Sequence, residues 1–144
     1  MGRSPNSSAP AMAANMIAID TNVVVRFITN DDPDQSARAK SLVESTEVSV
    51  STTVILEAGW VLASKYRYQP DQIARALSAF LGMDNVVTND PRMVGLALEW
   101  VVGGLDFADA LHLAQAESNE AFATFDRQLA NRAAQLTTFP VRLV

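Results

Sequence analysis

Four acids in this 144-residue chain stand where a carboxylate needs a reason: Asp20, Glu57, Asp109 and Asp126. Asp20 directly follows the apolar run IAI at 17–19, and Asp126 follows AFATF at 121–125. Each lies where a strand hands over to a helix. An aspartate there either caps the helix or serves a site at the strand's end, and residue type alone leaves both open. Glu57 sits within VILEAGWVLA, with Thr53, Val54, Trp60 and Val61 as its neighbours three and four positions away on a helix. An ionised carboxylate on such a face is costly unless it is paired or bound to metal; the alternative is an edge position from which it reaches water. Asp109 repeats the pattern in DFADALHLA, among Phe107, Ala108, Ala110, Leu111 and Leu113. Asp106, just after Gly103, Gly104 and Leu105, suits helix initiation, with room for an outer supporting role beside Asp109. Asp32 and Asp90 precede prolines and are explained as caps, whereas Glu44, Glu47, Glu99, Glu117 and Glu120 fall on expected solvated faces.

Carboxylates are hard oxygen ligands and favour Mg2+ or Mn2+. Bunched together they repel one another, and a cation offsets that repulsion. A bound cation can activate water, and a second can stabilise the leaving oxygen of a phosphodiester. The reaction class is therefore metal-assisted phosphodiester hydrolysis without a covalent protein intermediate. The chain has no cysteine, which excludes disulfides, thiolate zinc sites and thiol catalysis. Its one histidine, His112, could aid proton transfer, but a lone histidine on an apolar helix is expected to be packed and hydrogen-bonded. No HExxH spacing exists, and the glycines form neither GxxxxGK[ST] nor GxGxxG.

The elements that must position these acids alternate. IAI (17–19), EVSVS (47–51), NVVT (85–88), AFATF (121–125) and VRLV (141–144) read as strands. TNVVVRFITN after Asp20 is compatible with a helix, although its three adjacent valines would also suit a strand. A second helix opens at Asp32-Pro33, with Gln35 completing a capping box. TTVILEAGWVLASKYRY reads as one long helix. Pro70 opens a helix that ends at Gly82, Asp90-Pro91 caps the next, and Gly103-Gly104 breaks the chain before LDFADALHLAQAES. DRQLANRAAQ is a short helix. Strands separated by helices imply a mostly parallel sheet with helices on both faces. Ligands of such sheets bind beyond the carboxyl ends of the strands.

IDTNV (19–23), LEAGWVL (56–62), DFADALHLA (106–114) and TFDRQL (124–129) together resemble the successive acidic motifs of PIN-domain ribonucleases, and more narrowly those of VapC toxins of prokaryotic toxin–antitoxin pairs. The resemblance runs from residue 16 to about 130, in the right order. It implies a three-layer α/β/α domain with a central, mostly parallel sheet and Mg2+- or Mn2+-dependent cleavage of RNA. It carries the metal-binding and catalytic acids onto Asp20, Glu57, Asp109 and Asp126, with Asn22 and Thr124 as polar supports for the first and last. It further implies a homodimer and a cognate antitoxin that covers the acidic groove.

The net charge of −5 runs against broad phosphate neutralisation, although two divalent cations would bring it close to neutral. KYRY (65–68) offers two tyrosines able to stack on bases, and fits better as a helix C-terminus whose cations favour the dipole. No apolar run approaches the roughly 18–20 residues of a membrane span, so a cytoplasmic protein is expected. Residues 1–15, rich in Ser, Pro, Ala and Asn, read as an appended leader or a disordered segment, with the nuclease domain over 16–144 and its own start at Met16. Two rival readings are a metal-dependent phosphohydrolase and a catalytically silent interaction module. An aspartyl-phosphate version of the former lacks its second acid, because Thr21-Asn22 follows Asp20.

Overall fold

The computed structural model describes residues 15–144. The expectation for the first fifteen residues therefore lies, Asn15 apart, outside the described residues. Strand β2 (Val48–Val50) lies between β1 (Ile17–Ala18) and β3 (Val86–Thr88), all parallel. Val48 and Val50 are fully buried, as expected of a middle strand covered by helices. Pairing extends past β1: the Ile19 N–H donates to the Ser49 carbonyl at 3.1 Å, so the ladder runs to the residue before Asp20.

Among the described residues seven α-helices follow from local signals: α1 (Thr21–Thr29), α2 (Pro33–Ser45), α3 (Thr52–Ser64), α4 (Pro70–Leu81), α5 (Pro91–Val102), α6 (Phe107–Gln115) and α7 (Arg127–Leu136). The ambiguous valine run is helix α1. Asp20 caps its start, Asn30 closes it in the left-handed region at φ 57, and Thr21, Val24 and Val25 form its buried stripe. Proline opens α2, α4 and α5, where its fixed φ suits the first helical position. After β1, β2 and β3 the chain turns directly into a helix through Asp20, Ser51 and Asp90, each a side-chain cap. The strands' carboxyl edge is thus built from helix starts.

Several expectations need correction. The capping box at α2 is half formed: Asp32 accepts from the Gln35 N–H, but the Gln35 side chain accepts from Arg26 Nε at 2.7 Å instead of returning to Asp32. The long helix stops at Ser64, with Lys65 as its cap. Arg67 is left-handed at φ 59 and the Tyr68 N–H turns back to the Leu62 carbonyl, so KYRY is an exit turn. The sheet is divided: β4 (Phe122–Thr124) and β5 (Val141–Leu143) form their own parallel ladder. Gly104, at φ +115, is where the break before α6 needs glycine, and its carbonyl accepts from Arg132. A further correction concerns Glu57, described with its site below.

The whole is a helix-rich, three-layer α/β/α domain. Its core joins β2 to Val24, Val25, Ile55, Leu62, Leu77 and Leu111. Helices α3 and α6 approach closely at Gly59, where a Cβ would stand 2.3 Å from the Phe107 ring. That contact fixes the distance between the helix carrying Glu57 and the helix carrying Asp109. No helix among the described residues is long and apolar enough to cross a membrane.

Candidate active site

Asp20 leaves the end of β1 and accepts the Thr21 N–H at 2.7 Å. Thr21 is 5% exposed, and its hydroxyl donates to Glu57 Oε1 at 2.7 Å. One buried residue therefore holds both acids, one through its backbone and one through its side chain. Residue types gave no reason to single out Thr21. The available signal was a hydroxyl beside Asp20 at the first position of a helix whose buried stripe begins there.

Glu57 is exposed, not enclosed. Helix α3 is apolar on two faces, and only the one carrying Ile55, Ala58, Gly59 and Leu62 is buried. Glu57 stands on the other face with Thr53 and Trp60. Apolar neighbours in sequence did not amount to an apolar environment, because a helix that could bury either face buried one.

A second group forms where α6 and α7 begin. Asp106 caps α6 by accepting the Asp109 N–H at 3.2 Å. Asp126 caps α7 by accepting the Leu129 N–H at 3.1 Å, while its own N–H donates to the Thr124 hydroxyl at 3.0 Å. Thr124 thus steadies Asp126. Asn22 is exposed and makes no hydrogen bond to Asp20; Thr21 has that part. Burial, then the charges of Asp106 and Asp126, push the Asp109 carboxyl above its ordinary value, while His112 pulls it back. His112 is exposed, without a hydrogen-bonding partner among the described residues. This corrects the expectation of a packed histidine: the apolar stripe of α6 runs through Leu111 and Leu113 and passes it by.

Asp20, Asp106 and Asp126 cap helices and Asp109 lies in the first turn of α6, whereas Glu57 stands in the second turn of α3. Asp20 and Glu57 are joined through Thr21, and Asp109 feels Asp106 and Asp126. Among the described residues no three acids or histidines stand close enough together to cage an ion as they are. The donor chemistry nevertheless suits a hard divalent cation: carboxylate oxygens only, with one of them already penalised for its charge.

Residues 17–135 match the family described as PIN domain. No curated protein matches the chain. PIN domains are usually nucleases, often metal-dependent ribonucleases. Since the match spans most of the chain and includes all four acids, the chain belongs to the PIN domain family.

Proposed function

We propose that this protein is a Mg2+- or Mn2+-dependent endoribonuclease and the toxin half of a type II toxin–antitoxin pair, working in the cytoplasm as a homodimer. The observation that carries the nuclease reading is the PIN-domain match over residues 17–135, within which the half-buried Asp109 carboxyl is raised above its ordinary value by burial and by Asp106 and Asp126. A carboxyl so placed gains from any positive charge brought to it. Asp20, Glu57, Asp109 and Asp126 would hold the cation, and Asp106 and Thr124 would steady their neighbours. When bound, the ion would supply Lewis acidity toward the scissile phosphate and its attacking water.

The chain's own groups have distinct tasks. Thr21 fixes the Asp20 and Glu57 carboxylates by hydrogen bonds. Thr124 and the start of α7 fix Asp126. His112 is exposed, and its charge acts on the Asp109 carboxyl. The toxin assignment rests on the four sequence motifs.

Purified protein should cleave single-stranded RNA with Mg2+ or Mn2+ and stop in EDTA. Undiminished cleavage in excess EDTA, from a preparation free of other nucleases, would overturn the mechanism. Metal binding with no cleavage of any RNA would favour the silent interaction module. Release of phosphate from a phosphomonoester without RNA cleavage would favour the phosphohydrolase. A small DNA-binding protein encoded next to this gene, able to suppress the cleavage, would support the toxin assignment.

A further inference from the structure

Between α3, α4 and α6 lies a cavity of about 470 Å3, within the usual size range of small-molecule sites. Its walls are mostly apolar, and its side-chain polar groups are Thr53, Glu57, Tyr68 and Asp106. Trp60 lines it while 67% exposed, whereas the other tryptophan, Trp100, is 4% exposed. Trp60 stands one turn beyond Glu57 on α3, so whatever stacks on its ring lies beside the acids.

We propose that this cavity takes one unpaired guanine base of the RNA strand, stacked on Trp60 and held at its Watson–Crick edge by Asp106. The proposal rests on the ribonuclease reading for its ligand. Among the described residues no lysine or arginine lines the cavity, and two carboxylates do, so a phosphate is repelled from it. An apolar helix would cover those carboxylates without supplying donors. A base supplies both a ring for the indole and N–H groups for the carboxylates. Guanine alone offers a ring N–H and an exocyclic amine side by side. Asp106 Oδ2 accepts the Asp109 N–H, and no partner among the described residues takes its Oδ1.

The test is tryptophan emission of the full chain in EDTA, titrated with each of the four nucleoside 5′-monophosphates. The phosphate is constant across the four, so differences report the base. Guanosine monophosphate should quench Trp60 saturably and bind about tenfold more tightly than the other three. Trp60→Phe should remove the quenching and leave the signal of buried Trp100. Asp106→Asn should erase the preference for guanine, since asparagine still caps α6. With Mg2+ and a guanine-containing oligoribonucleotide, Trp60→Ala should raise KM about tenfold or more, with the loss falling on KM rather than kcat. Absent quenching, equal affinity for all four, or a blue shift that depends on protein concentration without nucleotide would overturn the proposal. Saturable guanosine monophosphate binding without RNA cleavage would leave the pocket standing and remove the nuclease reading. Cleavage with KM unmoved by Trp60→Ala would do the reverse.

Discussion

The two ends of α1 treat charge in opposite ways. At its C-terminal end Arg26 pairs with Asp31 at 3.0 Å, and Asp31 also accepts from the Tyr66 and Thr29 hydroxyls. Arg26 further donates to Tyr66 and Gln35. The Tyr66 hydroxyl does most to hold the Asp31 carboxyl below its ordinary value, against a burial cost, with Thr29 and Arg26 adding to it. At the N-terminal end Asp20 and Glu57 share Thr21, and no arginine or lysine forms an ion pair with them among the described residues. One end closes its electrostatics within the protein. The other leaves net negative charge for something outside the chain to neutralise. A protein selected for stability alone would resemble the first end throughout, and departures of the second kind concentrate at functional sites.

The largest effect should come from removing an acid at the open end. Asp109→Asn should lower RNA cleavage by orders of magnitude, whereas Asp106→Asn should cost far less turnover because asparagine still caps α6. Equal losses in the two variants, measured as kcat, would mean that Asp106 belongs among the metal-holding acids.

Next is the contact that sets the spacing of the open end. Gly59→Ala would force the Phe107 ring away from α3, at a cost of about 1–3 kcal/mol. Chemical denaturation should register this as a lower midpoint at unchanged slope. Wild-type stability would show that α6 can slide without penalty.

Melting curves with and without Mg2+ then compare the ends directly. In EDTA, Asp20→Asn or Asp126→Asn should raise Tm by an amount matching about 0.5–2 kcal/mol, since each removes a negative charge from the uncompensated end and keeps a capping side chain. Mg2+ should shrink or reverse that gain by stabilising wild type through mass action. Asp31→Asn should instead lower Tm, equally with and without the ion. Indifference of every variant to Mg2+ would reduce the acids at the open end to helix caps.

The smallest effect is a pH dependence at the closed end. The folded Asp31 carboxyl titrates below its unfolded value of about 3.9. Its contribution is therefore present above that value and is lost as pH falls through the lower, folded one. The Tm deficit of Asp31→Asn should persist from neutral pH to about 4 and fade below it. A deficit that fades between pH 7 and 5 would assign the titration to another group.

Much of this organisation is carried by short-range chemistry. Asp32-Pro33, Asp90-Pro91, Pro70 with Gly82, and the Gly103-Gly104 break mark helix ends because their backbone preferences act over a few residues. The alternation in EVSVS marks β2 for the same reason. The four acidic motifs, in order, were enough to indicate the family. Which face of α3 is buried was not legible, because apolar residues cover both sides and the choice belongs to α6 and its fit at Gly59. The joining of Asp20 to Glu57 through Thr21 was also out of reach, since it bridges residues thirty-six positions apart. The exposure of His112 and Trp60 likewise depends on what packs opposite them. Periodicity records which residues can be buried. Only the packing of one helix against another decides which of them are, and therefore which carboxylates and aromatic rings remain to meet a ligand.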